Sequence, residues 1–485
     1  MTKVNQQAKK IKLDIKKVKL NIKMMMCLLM FLFLWGCGSS TGTGGGGGNP
    51  SEGINLTRSQ LGSSGGFVDV DGDGILDKVV GAPNATMSSH PGAVLVYKGD
   101  SSNGYAATPA VSLTGDDNFG HSFVNLGDVD GDSKDDFAIT AINGDGEDAS
   151  LCGAVYVYKG GSNGQTIIRK LAGERPMDKF GFSMASGDLN GDGKMDIIIG
   201  APFNTNNPAV YAGGAVYTYL GPDLATLVTL HASSKNKGLG WRVASGDINN
   251  DGIADLLVSA SGKVLGYYGG SSFAPNLDVD APDLTITSSA SGFGKTMAVI
   301  GDTDSDRFRE MAIGAPNAVI NNNRDTGSVY IVKGGAGARA VNLNLTPAPA
   351  DLIVRMDGTN LFDRFGSSMA TVDADGDALI DIAVGAPTAD ADTNLPLSGK
   401  VYLFKGKDIG PATTLVNATV FNGTERDQCY GTFITPAPNG KLLIGTPGSN
   451  KYSGGVSMID LASGTPVTNG GGGTSGGDDH QEHDH

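Results

Sequence analysis

The chain has 485 residues, 74 of them Gly and 20 Pro, with 18% charged and 7% aromatic side chains; this length admits one large domain or several ordinary ones, and so much glycine without a three-residue period excludes collagen. The net charge of -15 hides a contrast, because residues 1 to 36 hold eight Lys and one Asp and leave 28 basic and 50 acidic residues in the remainder. So acidic a body repels phosphate backbones, which argues against nucleic acid and for cations as ligands.

In chain order, Met24 to Trp35 is an apolar run behind a lysine-rich lead. It is too short to span a bilayer comfortably and suits the core of an export signal. Leu34, Trp35, Gly36 and Cys37 then resemble the lipobox of bacterial lipoproteins, with Trp35 departing from the small residue usual there. That resemblance implies a signal peptide over 1–36, lipidation of Cys37 and a place in the bacterial cell envelope, at the outer membrane or cell surface. An uncleaved N-terminal anchor is the alternative, and it also leaves the body outside the cytoplasm. Residues 37–52 are a flexible Gly/Ser linker. In the mature body only Cys152 and Cys429 remain, read as two thiols rather than a disulfide.

From residue 53 to 461 one block returns: Phe-Gly, a short apolar stretch, an aspartate-rich loop, an apolar run, Gly-Ala-Pro, then Gly-x-Val-Tyr. The aspartate loops begin at Asp69, Asp128, Asp188, Asp247, Asp302 and Asp373, and a worn seventh copy runs through Tyr430-Gly431, Gly445-Thr446-Pro447 and Gly455-Val456. Runs such as Ile197-Ile198-Ile199, Ala154 to Tyr158 and Val401 to Phe404 are rich in β-formers and bounded by Gly, Pro, Asp and Asn. Four such strands per copy predict an all-β chain, a seven-bladed β-propeller of four-stranded blades. Residues 53 to 58 precede any blade of their own, and the last copy runs out after Ile459. The N-terminal strand is therefore expected to close the last blade, removing open sheet edges.

The loops place Asp, Asn or Glu at positions 1, 3, 5 and 9 of a nine-residue turn, with a backbone carbonyl at position 7 as a further ligand. They read Asp69, Asp71, Asp73, Ile75, Asp77; Asp128, Asp130, Asp132, Lys134, Asp136; and Asp188, Asn190, Asp192, Lys194, Asp196. The remaining three are Asp247, Asn249, Asp251, Ile253, Asp255; Asp302, Asp304, Asp306, Phe308, Glu310; and Asp373, Asp375, Asp377, Leu379, Asp381. Carboxylates so crowded repel unless a divalent cation sits among them, and calcium tolerates an irregular oxygen cage better than magnesium. An EF-hand needs a twelve-residue loop between helices; here the ninth residue closes the loop and strands flank it. Arg307 and Ala378 stand at position 6, where glycine relieves backbone strain, so the loops at Asp302 and Asp373 are the weaker candidates. The seventh copy, Thr435 to Gly440, has no carboxylate and predicts no metal.

Phe119-Gly120, Phe180-Gly181, Phe293-Gly294 and Phe365-Gly366, with Gly81-Ala82-Pro83, Gly200-Ala201-Pro202, Gly314-Ala315-Pro316 and Gly385-Ala386-Pro387, resemble the FG-GAP repeats of integrin alpha subunits. The resemblance implies a propeller with structural calcium in hairpin loops on one face and partners met on the other. With its six candidate loops and lipobox-like start, the chain looks like a bacterial FG-GAP lipoprotein, and integrin-type pairing with a second subunit does not carry over.

Other signals fall away in context. Gly62-Ser-Ser64-Gly-Gly66 and Gly160-Gly-Ser162-Asn-Gly164 match a nucleophile elbow but lack its strand-to-helix setting. Ser291 to Thr296 lacks the first glycine of a phosphate loop. Residues 462–485 form a Gly-rich tail ending in Asp and His, read as solvated. On the face opposite the acidic loops, Tyr211, Arg324, Phe362 and Arg364 are candidate partner contacts. The expected function is a calcium-binding cell-surface propeller that mediates adhesion or scaffolding through protein contacts and is not an enzyme. A calcium-dependent lectin for extracellular glycans and an enzyme acting on extracellular polysaccharide are the alternatives.

Overall fold

A computed structural model describes residues 59–466, apart from 87–90, 102–103, 147–149, 165, 206–212, 234–236, 274–276 and 450–452. The expected signal peptide, Cys37, the linker, the strand over 53–58, Tyr211 and the tail from 467 lie outside the described residues.

The described elements are strands apart from two single turns of 3-10 helix, Gly406–Asp408 and Leu415–Asn417, and a helical residue at Ser449. Its strands pair as antiparallel meanders of four. The first is Ser64–Val68, Asp77–Thr86, Pro91–Tyr97 and Val111–Thr114. The second is Phe119–Gly127, Asp136–Ala141, Ala154–Tyr158 and Ile167–Ala172. The third is Ser183–Gly187, Asp196–Ala201, Ala215–Leu220 and Thr226–His231. Val243–Gly246, Asp255–Ala260, Lys263–Tyr267 and Leu284–Thr287 make the fourth. Thr296–Val299, Met311–Ala315, Ser328–Val332 and Leu352–Asp357 make the fifth. The sixth comprises Ser368–Val372, Asp381–Ala386, Lys400–Phe404 and Thr419–Asn422. Ile434–Ala437, Lys441–Gly445, Val456–Asp460 and Thr465–Pro466 form the last. Sheets of this kind, returning once per repeat, fit a β-propeller.

Two edges differ from the simple repeat. The fifth copy spends its extra residues on Arg339–Asn342, which pairs parallel with the outer strand Leu284–Thr287 of the fourth sheet and covers it. In the seventh sheet the chain does not run out after Ile459: Thr465–Pro466 turns back to pair with Ile459 and Asp460.

The second strands Asp136–Ala141, Asp196–Ala201, Asp255–Ala260 and Asp381–Ala386 are buried along their whole length. A strand is apolar on both faces only where both faces are covered. The cores accordingly lie between successive copies, as where Leu126 and Val129 of the second pack with Ile197 and Ile199 of the third.

Each motif residue has a packing reason. The phenylalanine of Phe-Gly lies edge-on to the tyrosine of its own third strand, as for Phe119 with Tyr156 at 5.6 Å, Phe180 with Tyr217 at 5.2 Å, Phe293 with Tyr330 at 5.5 Å and Phe365 with Tyr402 at 5.3 Å. The glycine of Gly-Ala-Pro, or of Gly-Thr-Pro in the last copy, faces the glycine that stands at the Phe-Gly position of the next copy. A Cβ on Gly81 would sit 2.1 Å from the Gly120 carbonyl oxygen, and one on Gly200 2.1 Å from that of Gly240. The same approach recurs between Gly314 and Gly366, Gly385 and Gly431, and Gly445 and Gly62, the last pair joining the last copy to the first. Beside this seam a buried hydroxyl donates to the same carbonyl: Ser64 to Gly120 at 2.8 Å, Ser183 to Gly240 at 3.1 Å, Thr296 to Gly366 at 2.7 Å and Ser368 to Gly431 at 2.6 Å.

Candidate metal loops and the opposite face

All six aspartate loops adopt one conformation, dictated by their own side chains. The position 1 carboxylate accepts backbone N–H groups from across the turn: Asp69 from Gly72 at 2.7 Å and Gly74 at 2.7 Å, Asp128 from Gly131 at 2.7 Å and Ser133 at 2.9 Å, Asp188 from Gly191 and Gly193 at 2.8 Å each. Asp247 accepts from Gly252 at 3.0 Å, Asp302 from Arg307 at 2.9 Å, and Asp373 from Gly376 at 2.8 Å and Ala378 at 3.2 Å. Position 5 accepts the N–H of position 7, as Asp73 from Ile75, Asp132 from Lys134, Asp192 from Lys194, Asp251 from Ile253, Asp306 from Phe308 and Asp377 from Leu379. Such Asx turns gather the carboxylates by local geometry alone.

Position 6 is left-handed in every loop. Gly74, Gly193 and Gly252 meet this without cost, whereas Ser133, Arg307 and Ala378 hold φ of 69°, 82° and 69°. Arg307 and Ala378 thus carry strain, yet their loops keep the common shape.

Position 9 is the buried anchor. Asp136, Asp196, Asp255, Glu310 and Asp381 are fully buried and Asp77 nearly so. One carboxylate oxygen accepts from the loop and the other from the end of the third strand. Asp196 takes Leu189 N–H at 2.8 Å and Gly221 N–H at 2.9 Å; Asp255 takes Ile248 at 2.7 Å and Gly269 at 2.8 Å; Asp381 takes Ala374 at 3.0 Å and Gly406 at 2.7 Å. Burial, opposed by these hydrogen bonds and reinforced by neighbouring aspartates, pushes Asp196 up to about 6 and Asp255 up to about 7. Asp77 and Asp136 rise for the same first reason. Glu310, a methylene longer, bonds Thr303 instead, its hydroxyl at 2.8 Å, and leaves Oε1 buried with no hydrogen-bond partner; burial raises it to about 7.

In four loops carboxylate oxygens approach within 4.8 Å of one another: Asp69, Asp71 and Asp77; Asp128, Asp130 and Asp136; Asp302, Asp304, Asp306 and Glu310; Asp373, Asp375 and Asp377. All-oxygen donors, several of them buried and one unsatisfied, fit a hard divalent cation. Asp188, Asn190, Asp192 and Asp196 share the fold, as do Asp247, Asn249, Asp251 and Asp255, with an amide at position 3. The seventh hairpin turns instead through Asn439 and Gly440, both left-handed, with no carboxylate. Lysines the sequence reading passed over also touch these loops. Lys159 bonds Asp130 and lies 2.9 Å from Asp132, which holds the Asp132 carboxyl below its usual range. Reading the third-strand ends in register would have found them.

At the other end of the strands, the loops carrying Arg324, Phe362 and Arg364 come together. Phe362 N–H donates to the Arg324 carbonyl at 3.0 Å, Arg364 N–H to that of Asp325 at 2.9 Å, and the Arg364 guanidinium lies 3.8 Å from the Asp325 carboxylate. Arg324 is exposed; Phe362 and Arg364 are half-buried. Nearby is a cluster that sequence reasoning missed, built from Phe203 and from the residues that follow four successive Phe-Gly or Leu-Gly pairs. His121 packs on Phe182 at 5.6 Å, Phe182 on Trp241 at 4.9 Å, and Trp241 on Phe203 at 5.8 Å, with the Lys295 ammonium 5.6 Å from the indole. Trp241 and Lys295 line a cavity of about 270 Å³. Cys152 and Cys429 are both buried thiols.

Comparison with known proteins agrees with this geometry. The FG-GAP repeat family model matches residues 180–219 and 239–273. A phosphatidylinositol-glycan-specific phospholipase D of Bos taurus is 25% identical over 84% of this chain and 52% of its own length. Integrin alpha-4 of Xenopus laevis is 29% identical over 49% of this chain and 23% of its own, and integrin alpha-PS5 of Drosophila melanogaster 34% over 31% and 17%. The chain spans about half the length, or less, of these curated relatives. Among solved structures, BBS1N in complex with ARL6DN aligns over 84% of this chain at 10% identity and a TM-score of 0.46, too loosely to bear on function. Motifs, sheets and matches agree that the chain carries FG-GAP repeats and is integrin-alpha-like over the matched span.

Proposed function

We propose that the chain is a calcium-stabilised, seven-bladed propeller, over residues 53–461, that is exported, lipid-anchored through Cys37 in a bacterial envelope, and mediates adhesion or scaffolding through protein contacts. Seven meanders and the contacts that return from the last copy to the first support the ring: Gly445 against Gly62, and Leu61 bridged to Gly454 as Phe119 is to Gly92. Anchoring rests on the lipobox-like sequence alone. The converging carboxylates support calcium, with Asp and Glu at positions 1, 3, 5 and 9 as ligands beside the Asn190 and Asn249 amides, and the carbonyls of Ile75, Lys134, Lys194, Ile253, Phe308 and Leu379 completing the cage.

The single observation that carries the partner assignment is the opposite face, where Arg324, Phe362 and Arg364 are organised by backbone pairing rather than by a core. Large amphipathic side chains of this kind are favoured contacts at protein interfaces. The matched integrin alpha subunits fit such a role, while the lipase activity in the name of the bovine relative belongs to that protein. A second reading, a calcium-dependent lectin, has its own observation: the aromatic cluster around Trp241 beside a cavity suits stacking on sugar rings.

The test is an array carrying cell-surface proteins and extracellular glycans, probed with calcium and with chelator. Binding to protein spots, lost with Arg324→Ala, Phe362→Ala and Arg364→Ala together, is the expected result. Binding confined to glycans and lost with Trp241→Ala replaces it with the lectin. Turnover of any spotted polysaccharide, or silence from folded protein, overturns both.

A further inference from the structure

The six acidic loops are of two kinds, and what separates them lies outside the loops. Position 3 is Asp71, Asp130, Asp304 and Asp375 in four of them, and Asn190 and Asn249 in the other two. The structure fixes a second position in register with the first: the residue before the glycine that ends the third strand. In five loops that glycine donates to the position 9 carboxylate, Gly99 to Asp77, Gly160 to Asp136, Gly221 to Asp196, Gly269 to Asp255 and Gly406 to Asp381, and in the loop at Asp302 Gly334 holds the same place in sequence. Wherever position 3 is Asp, that residue is lysine: Lys98, Lys159, Lys333 and Lys405. Wherever position 3 is Asn, it is Leu220 or Tyr268.

The lysines close on the loops. Lys98 pairs with Asp71 and lies 3.9 Å from Asp73; Lys159 pairs with Asp130 and Asp132; Lys333 pairs with Asp304 and lies 3.7 Å from Asp306. Lys405 lies 3.3 Å from both Asp375 and Asp381, and Lys407 adds a contact of 3.1 Å to Asp375. In the asparagine loops the amide itself makes the bridge from position 3 to position 5, Asn190 to Asp192 and Asn249 to Asp251, each at 3.0 Å. Counting positions 1, 3, 5 and 9 with the residue before the glycine, the first kind sets four carboxylates against one ammonium and the second has three carboxylates alone; at Asp373 a second lysine, Lys407, is added.

We propose that Lys98, Lys159, Lys333 and Lys405 are tethered counter-ions that set the divalent-cation affinity of their loops, each offsetting the extra carboxylate at position 3. The proposal rests on the calcium reading of the loops. An ammonium has only donors and cannot ligate a metal, so it must release position 3 or position 5 oxygens before a cation takes them. Its removal therefore tightens binding, while removal of the carboxylate alone weakens it. Removing both recreates the pattern that Asn190 and Leu220 already form in this chain.

The experiment is calcium titration of the full chain by calorimetry, on wild type and on three multiple variants. Lys98→Leu, Lys159→Leu, Lys333→Leu and Lys405→Leu together should tighten four sites about fivefold, the scale of one or two half-exposed ion pairs, and leave two unchanged. Asp71→Asn, Asp130→Asn, Asp304→Asn and Asp375→Asn should weaken the same four. The combined variant should return them to near the wild-type affinity. Circular dichroism and melting certify that each variant is folded, and the combined one copies loops that fold in this chain. Unchanged or weaker binding in the folded lysine variant, or a combined variant no better than the asparagine one, overturns the counter-ion assignment alone. Absence of calcium uptake by the wild type overturns the metal reading, and the counter-ion assignment with it.

Discussion

The two ends of the strands are specified in different ways. At the acidic end, nine residues suffice: Asp69 folds its own loop through Gly72 and Gly74, and the pattern is repeated in each of the six copies that carry it. At the Phe-Gly end, geometry comes from the neighbour, since Gly81 is shaped by Gly120 of the next copy and Gly445 by Gly62 of the first. Local information tolerates imperfect residues, as Arg307 and Ala378 demonstrate; contact between copies tolerates almost none.

The largest effect should therefore come from the seam. Gly445→Val places a Cβ 2.1 Å from the Gly62 carbonyl oxygen and should cost about 3 kcal/mol or more in denaturant unfolding. Gly74→Ala, where no atom lies within 4 Å of the new Cβ and only a φ of 83° is penalised, should cost about 1 kcal/mol. Equal costs would erase the distinction.

Next comes pH in the chelated protein. Asp196, Asp255 and Glu310 titrate at about 6, 7 and 7 in the fold, above ordinary carboxylates. Their stabilisation is full below the unfolded range and is lost as pH rises through 6 to 7. Asp178, raised to about 6 by burial, adds the same sign at the other end. His121, held down to about 4 by burial and by Lys179 and Arg242, has the opposite sign and loses stability as pH falls below the ordinary histidine range. Lys78, pushed down to about 8 by burial, shares the sign of His121. Four groups outweigh these two, so the calorimetric melting temperature without metal should be higher at pH 5.5 than at pH 8. Saturating calcium, which favours the ionised carboxylates, should remove that gain. A chelated protein that melts lower at pH 5.5 would contradict the burial account of the position 9 residues.

Calcium removal at pH 8 should lower the melting temperature by several degrees, the linkage expected for ions bound only by the native state; a melt insensitive to chelator would reject the metal loops. The smallest change expected is Ala378→Gly, which relieves a left-handed φ and should stabilise by about 0.5–1 kcal/mol. No gain there would mean that the loop's strain is taken up elsewhere.

The contrast between the two ends also explains what the sequence could disclose. Strands such as Ile197–Ile199 and loops such as Asp188 to Asp196 were legible because their signals are contiguous and periodic. The four-strand count was legible as well, except at the last sheet, where Thr465–Pro466 pairs through only two residues, too short a run to carry a pattern. The pairing of Lys98 with Asp71 was missed because it joins residues 27 apart in sequence across a sheet, and the Phe182 and Trp241 contact because it joins two copies. Arg324 and Phe362 were named as candidates for being large amphipathic side chains in long loops, but not that one holds the other through its backbone.

The acidic loops of neighbouring copies lie side by side: Asn163 N–H, four residues beyond Lys159, bonds the Val70 carbonyl of the first loop at 3.0 Å, and Gly270 N–H bonds the Leu189 carbonyl of the third at 2.8 Å. Carboxylates are thus gathered at one end of the strands. Loops set side by side in this way sum their fields, so that end draws divalent cations from solution and holds off anionic surfaces before any specific contact is made, most strongly when calcium is scarce and salt is low.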